Sequence, residues 1–88
     1  MDFSERLQEI FETREAHRRF KELEEVTGVA GRTWSNISYR KQKANQEHIE
    51  ALCKAFPQYA YWLVTGQTDE QHGHTSPVLE RIQIHSPG

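Results

Sequence analysis

The apolar positions of the chain repeat with the 3.6-residue period of an α-helix. Near the N-terminus they fall at i, i+4, i+7 and i+8, on one side of a helix: Phe3, Leu7, Ile10 and Phe11. Asp2 or Ser4 can cap this segment, because both side chains accept hydrogen bonds from free amide groups at a helix start. The pattern predicts a first helix that runs to about Arg14.

Two further helices follow, joined by a short turn. The apolar residues of the next segment again have helical spacing: Ala16, Phe20, Leu23 and Val26. This second helix is expected to end at Gly28, because glycine readily takes the left-handed conformation found at helix ends. Trp34 and Ile37 are three apart and share one side of a short third helix, from about Gly31 to Tyr39. Both are expected in the core.

The next part of the chain predicts two more helices and a tail. Asn45 is a good cap for a fourth helix, whose apolar side comprises Ile49, Leu52, Cys53 and Phe56. Pro57 ends that helix and can begin a fifth, which closes at Gly66 and brings together Tyr59, Trp62 and Leu63. Residues 67–77 have the composition of a polar linker. The tail, residues 78–88, is ambiguous: Ser76-Pro77 can open a helix, whereas Ile82-Gln83-Ile84 alternates like a strand.

These elements predict an all-α protein with five compact helices in residues 1–66. The second and third helices have the spacing of a helix-turn-helix unit. Eighty-eight residues, of which 35% are hydrophobic and 27% charged, are enough for one small globular domain. We expect a cytoplasmic protein, because no continuous apolar run suggests a signal peptide or a membrane span, and the single cysteine, Cys53, cannot form an internal disulfide.

Enzymatic and metal-binding functions are not favoured by the sequence. His72 and His74 resemble a metal-binding pair, but no third ligand follows at a suitable spacing, so we expect no metal and no cofactor. The chain has no glycine-rich phosphate loop, and its acidic residues fall on amphipathic helices, where they are normally solvated. A nucleophilic role for Cys53 is also not expected, because it lies on an apolar helix side.

Positive charge is concentrated in one segment. The chain has a formal net charge of −2, yet residues 27–43 contain Arg32, Arg40, Lys41 and Lys43 and no acidic residue. Because salt screens charges beyond about 8 Å, a phosphate backbone responds to this local charge and not to the net charge. The third helix lies in this segment, and its side opposite Trp34 presents side chains that hydrogen-bond bases or phosphates. The sequence therefore indicates a DNA-binding surface.

The segments FKELEEVTGVAGRTWSNI and RKQKANQEHIEALCKAFPQYAYWLVTGQTD resemble the DNA-binding domain of Cro/C1-type phage repressors, which has the lambda-repressor-like helix-turn-helix fold. The closing WLVTG is similar to the segment that commonly ends such domains. The resemblance covers about residues 3–66. It implies a sequence-specific transcriptional regulator, a phage-type repressor, that reads the major groove of double-stranded DNA with the third helix.

The resemblance also implies roles for individual residues. The base-contacting candidates are Gly31, Arg32, Thr33, Ser35 and Asn36. Its phosphate-contacting candidates are Tyr39, Arg40 and Lys41 at and after the end of the third helix. The local positive charge adds Lys43, and Arg18 and Arg19 on the second helix, as further phosphate-contacting candidates. Ala30 stands at the N-cap position of the third helix without a capping side chain, so we expect the start of that helix to be mobile in the free protein.

The remaining predictions concern partners. A single short reading helix covers few bases, so we expect a homodimer on a palindromic operator, with equivalent helices about 34 Å apart in successive major grooves. The tail is the candidate dimer element, through Val78, Leu79, Ile82 and Ile84, although the linker would also let it fold back onto the first helix. An alternative function is a protein-interaction module of the same fold, like an antirepressor, that does not bind DNA. The acidic net charge favours this alternative.

Overall fold

The protein is almost entirely helical. A computed structural model describes the backbone of residues 1–85 and the side chains of residues 1–83. Its helices are α1 (Phe3–Phe11), α2 (Arg19–Thr27), α3 (Gly31–Ser38), α4 (Gln46–Ala55), α5 (Pro57–Thr65) and α6 (Pro77–His85), with a 3-10 turn at Glu70–His72. The predicted all-α class is confirmed, and the tail, which the sequence left ambiguous between helix and strand, forms a sixth helix.

The helix ends follow from local side-chain chemistry. At the start of α1, the Asp2 carboxylate accepts a hydrogen bond from the Glu5 amide at 2.8 Å, and the Asp2 amide donates to the Glu5 carboxylate at 3.1 Å. Asn45 and His48 form the same reciprocal pair at the start of α4. Gly28 and Gly66 end α2 and α5 with φ angles of 77° and 78°, which confirms both as left-handed helix terminators.

One hydrophobic core joins the first five helices. Its buried members are Leu7, Ile10, Phe11, Leu23, Trp34, Ile37, Leu52, Phe56, Tyr59, Trp62 and Leu63. All eleven were predicted to face the core by helical spacing. Cys53 is half buried at its edge, and burial raises the pKa of its thiol, so it acts as a small apolar side chain. Within the described residues, no helix has the length and apolar character needed to cross a bilayer.

Two helix boundaries differ from the periodicity-based prediction. The helix α1 ends at Phe11, before Arg14, because the Thr13 hydroxyl and amide both turn back to the Ile10 carbonyl, at 2.6 and 3.1 Å. The helix α2 starts only at Arg19, which leaves Ala16 exposed in the connection. Val26 was also predicted to be a core residue and is instead 47% exposed.

The tail lies against its own domain. Ser76 is buried, and its hydroxyl caps α6 by accepting a hydrogen bond from the Leu79 amide at 3.0 Å. Val78 packs against the core, and Arg81 forms an ion pair with Glu9 of α1 at 2.6 Å. The connection across residues 67–77 is also attached, since the Thr75 amide donates to the Gln58 carbonyl at 2.9 Å. The fold-back of the tail onto the first helix is therefore the arrangement within this chain.

Tyr59 of α5 is a buried tyrosine. Tyr59 stacks on Phe56, with ring centroids 5.8 Å apart. Burial, followed by the nearby carboxylate of Glu80 on α6, raises the pKa of Tyr59 to about 12. The phenol therefore keeps its proton at neutral pH.

Candidate nucleic-acid interface

A close approach of two backbones forms the unit that consists of α2, the turn after it and α3. The turn between α2 and α3 runs through Gly28, Val29 and Ala30. A Cβ atom on Gly31 would lie 2.8 Å from the Phe20 carbonyl oxygen, so only glycine allows α3 to approach α2 this closely. Gly31 is half buried in this contact. The structure accordingly assigns Gly31 a packing role, and its base contact stays a prediction.

Thr27, the last residue of α2, joins three parts of the unit through its hydroxyl. The hydroxyl donates to the Leu23 carbonyl at 2.6 Å. It accepts from the Val29 amide at 3.1 Å and from the indole Nε1 of Trp34 at 2.9 Å. One small polar side chain therefore satisfies the indole N–H of a fully buried tryptophan and orders the turn. Thr27, and not Val26, is the residue that faces inward at the end of α2.

The start of α3 is capped from the neighbouring helix. Ala30 supplies no side-chain cap, as its sequence predicted. The Glu24 carboxylate of α2 instead accepts a hydrogen bond from the Gly31 amide at 2.7 Å. A carboxylate is also a favourable partner for the positive end of the helix dipole. We expected the start of α3 to be mobile because Ala30 provides no capping side chain. Glu24 provides a cap, so the reason for that expectation no longer holds.

The far end of α3 is attached to α1. The Gln8 side-chain amide donates to the Ser38 carbonyl at 2.5 Å, and the Ser38 hydroxyl donates back to the Gln8 side-chain oxygen at 3.0 Å. Between the two ends, Trp34 is fully buried and packs edge to face against His48 of α4. The candidate reading helix is thus held at its start, middle and end by three different helices.

The outer side of α3 carries a polar stripe. Arg32, Asn36 and Tyr39 follow one another at i, i+4 and i+7, opposite the buried pair Trp34 and Ile37. Arg32 and Tyr39 are exposed, and Tyr39 keeps 66% of its surface in solvent while its ring lies near Phe20. Asn36 is half buried, and its side-chain amide has only a long contact of 3.4 Å to Gln42.

Two further base-contacting candidates lie beside this stripe. Thr33 and Ser35 are both half buried and occupy the flanks of α3, between the outer stripe and the core side. Arg32 is therefore the one exposed residue among the predicted base-contacting residues, and Asn36 is half buried like Thr33 and Ser35.

Arg40 adopts an unusual backbone conformation. It is the only non-glycine residue with a positive φ in the described part of the chain, at 60°. The Arg40 amide donates to the Ile37 carbonyl at 3.1 Å, and the Lys41 amide donates to the Asn36 carbonyl at 2.8 Å. This is the Schellman pattern of a helix end, with arginine where glycine is usual. The left-handed conformation costs arginine about 1 kcal/mol relative to glycine.

The basic residues around α3 face solvent. Arg40, Lys41 and Lys43 are exposed in the loop after α3, and no ion pair engages them in the described residues. Arg18 is exposed just before α2. Arg19 is half buried, and its Nε atom has no hydrogen-bond partner among residues 1–83. The phosphate-contacting candidates other than Arg19 are thus accessible to a ligand.

The four predicted dimer residues differ in their surroundings. Val78 is partly buried against the core of its own chain, and Leu79 is half buried. Ile82 is 59% exposed, on the part of α6 that leaves the core. The side chain of Ile84 lies outside the described residues. Of the three described side chains, Ile82 is the one most available to a partner.

The histidines near the 3-10 turn form a local contact. His72 Nδ1 lies 2.8 Å from the Asp69 carboxylate, and His74 packs against Tyr61 with centroids 5.0 Å apart. Over the described residues, no three potential metal ligands cluster together. These histidines therefore serve the connection between α5 and α6.

Comparisons of the chain with known protein families, with characterised proteins and with solved structures gave no match.

Glu24 provides a direct test of how α3 is positioned. Replacement of Glu24 by alanine removes the cap and should lower the free energy of unfolding by about 1 kcal/mol. Amide hydrogen exchange at Gly31 should also become faster. Glutamine at this position keeps an acceptor oxygen and should restore most of the protection. Urea unfolding and hydrogen exchange of both variants check this, and equal losses for alanine and glutamine would show that the hydrogen bond contributes little.

Proposed function

We propose that this protein is a DNA-binding transcriptional regulator that inserts α3 into the major groove. The observation that carries the proposal is the combination of a firmly held α3 with an outward polar stripe that continues directly into exposed basic residues. An α-helix fits the roughly 12 Å wide major groove, and the stripe contains the side-chain types that pair with base edges. The absence of acidic residues from 27–43 supports the same surface.

The basic residues after α3 would anchor the protein on the DNA backbone. Arg40, Lys41 and Lys43 are exposed and follow the C-terminal end of α3, where a helix lying in the groove meets the phosphates at its edge. Phosphate contacts of this kind position a protein without reading sequence. They would supply most of the affinity for random DNA, while the stripe on α3 would supply discrimination.

Arg32 and Asn36 are the residues that we propose for base reading. Asparagine pairs with adenine and arginine with guanine through two hydrogen bonds, each pair worth about 1–3 kcal/mol of discrimination. Asn36 has no strong internal partner to give up, since its contact with Gln42 is 3.4 Å long. Replacement of Asn36 by alanine should therefore relax one operator position while random-DNA affinity stays nearly constant.

Selection of bound fragments from a genomic library would first define the operator for the unaltered protein. The same selection with the Asn36 variant should give an operator with one degenerate position per half-site. Quantitative binding to the operator and to a scrambled duplex then tests the role: equal losses on both would mean that Asn36 contacts the backbone or supports the fold. Gln46, exposed on α4 outside the helix-turn-helix unit, provides a matched control when replaced by alanine.

A two-fold homodimer is the assembly that we propose on DNA. Because Val78 packs on its own core, the dimer contact of α6 would centre on Ile82. A symmetric contact would bring the two copies of Ile82 together across the axis. Replacement of Ile82 by aspartate should convert the dimer to a monomer without disturbing the core. Light-scattering mass at tens of micromolar protein checks this. If the unaltered protein is already a monomer at this concentration and the Ile82 variant binds the operator as tightly as it does, α6 has no role in dimerisation.

The main alternative is a protein-interaction module that does not bind DNA. Glu24 favours it, because its carboxylate occupies the start of α3 and places negative charge where a phosphate would otherwise be attracted. A mobility shift with random genomic DNA at low salt separates the two functions. Retarded DNA supports the regulator, and unaltered migration at high protein concentration supports the interaction module.

A further inference from the structure

A groove opens beside the candidate DNA-binding surface. It has a volume of about 360 Å³ and lies between the first half of α1 and the loop that follows α3. Phe3, Leu7, Ile37 and Ala44 form its apolar part, and the basic residues Arg40 and Lys43 lie at its edge. The DNA-binding function does not account for the apolar part of the groove, because a phosphate backbone has no apolar surface that could pack against it.

The lining defines the chemistry of an occupant. Phe3 and Ala44 are only half buried, so apolar surface in the groove remains in contact with water. No lining residue is acidic, whereas Arg40 and Lys43 are exposed cations without an ion pair in the described part of the chain. A ligand that complements both features has an apolar body and one anionic group. Binding sites of this type are mostly apolar, with a few polar groups that orient the ligand.

The walls of the groove are held in place by contacts already described. The reciprocal hydrogen bonds between Gln8 and Ser38 join α1 to the end of α3. Arg40, in the left-handed conformation, begins the loop that lines the other side of the groove. The volume lies at the lower end of the roughly 300–1,000 Å³ usual for ligand sites, which favours a small molecule over a peptide helix.

We propose that this groove binds a small anionic amphiphile, a carboxylate on a short apolar chain, free in solution. The apolar chain contacts Phe3, Leu7 and Ile37, and the carboxylate pairs with Arg40 and Lys43. Its regulatory consequence rests on the proposed function: because the same two cations would contact DNA phosphates, the ligand and DNA compete. The ligand is then an effector that releases the protein from DNA.

Octanoate is a suitable probe, used with the full chain below its critical micelle concentration. In ¹H–¹⁵N NMR spectra it should shift amide signals of residues 3–8 and 37–44 in a saturable manner. Octanol lacks the charge and acetate lacks the apolar chain, so each should bind at least about tenfold more weakly. Shifts spread over the whole protein, no shifts at all, or equal binding of octanol would overturn the proposal.

Two variants test the groove residues. Lys43→Gln removes one cation and should weaken octanoate binding about tenfold, whereas Lys54→Gln on α4 should leave it unchanged. Ser4→Phe places a ring into the groove from an exposed position of α1 and should abolish binding while the circular dichroism spectrum stays the same. Undiminished octanoate binding by the folded Ser4 variant would overturn the site.

DNA competition separates failure of the site from failure of the proposed function. Octanoate should weaken DNA binding by the unaltered chain and have no effect on the Ser4→Phe variant. Octanoate binding in the groove without any DNA binding would support the ligand site and contradict the DNA-binding function. DNA binding without octanoate-induced shifts in the groove would support the DNA-binding function and contradict the ligand site. Vesicles containing phosphatidylglycerol test a membrane source of the anion. Capture by vesicles together with no response to octanoate would overturn a free ligand.

Discussion

Replacing Trp34 by alanine is expected to lower the free energy of unfolding by about 3–5 kcal/mol. Trp34 is fully buried, and its ring centroid lies 5.7 Å from that of Phe11 and 5.7 Å from that of His48. Its indole N–H donates to the Thr27 hydroxyl at 2.9 Å. The substitution therefore opens a cavity and removes a donor that the turn residue Thr27 uses. A domain of this size has roughly 5–15 kcal/mol of stability in total, so the variant should be partly or wholly unfolded at 37 °C.

Thermal and urea unfolding followed by circular dichroism measure this effect. Tyr61 is the matched control, because it is a large aromatic residue on α5 that is 36% exposed. Its replacement by alanine should cost much less, about 1 kcal/mol or below. If both variants lost the same stability, Trp34 would not be the central packing residue that its burial implies.

Neutralising Lys41 and Lys43 together is expected to reduce affinity for every DNA sequence by roughly 50-fold per bound protomer at 100 mM salt. Each phosphate contact releases counterions, and the logarithm of the binding constant falls with the logarithm of salt by about 0.9 per contact. Loss of two contacts per protomer should therefore make the slope less steep by about 2 for each bound protomer. Operator and random DNA should be affected alike, because neither lysine is proposed to read bases.

Lys21 and Lys54 supply the control for this experiment. Both are exposed lysines outside the surface formed by α3 and the loop after it. A Lys21→Gln, Lys54→Gln protein has the same net charge as the Lys41→Gln, Lys43→Gln protein. The control should bind DNA with nearly unchanged salt dependence. Equal losses in the two proteins would show that DNA responds to net charge alone and that the surface around α3 has no special part.

Local patterns were enough to predict most of the helical framework. Asn45, Gly28 and Gly66 mark helix ends because their preferences depend on neighbours within four residues. The buried side of each of the first five helices followed from spacing, since apolar residues at i, i+3 and i+4 share one face. Spacing left the tail ambiguous, because its short apolar segment fits both the helical and the strand period.

The contacts that position α3 were not predictable from the sequence. Glu24 and Gly31 are seven residues apart, and Gln8 and Ser38 are 30 apart, so their hydrogen bonds depend on how the helices pack. Val26 was predicted to face the core because it continues an apolar period, but Thr27 is the inward residue because its hydroxyl satisfies Trp34. The left-handed turn at Arg40 was missed because it places arginine where glycine is usual.

The most direct test of the central claim is a salt titration of DNA binding. Fluorescence anisotropy with a labelled random-sequence duplex would give binding constants of the full chain between about 50 and 200 mM salt. Four to six phosphate contacts per protomer predict a slope of about −4 to −5 in the logarithmic plot for each bound protomer, and about twice that for a bound dimer. Absence of binding at the lowest salt, or an affinity that does not change with salt, would contradict the proposal that α3 and the basic loop after it form a DNA-binding surface.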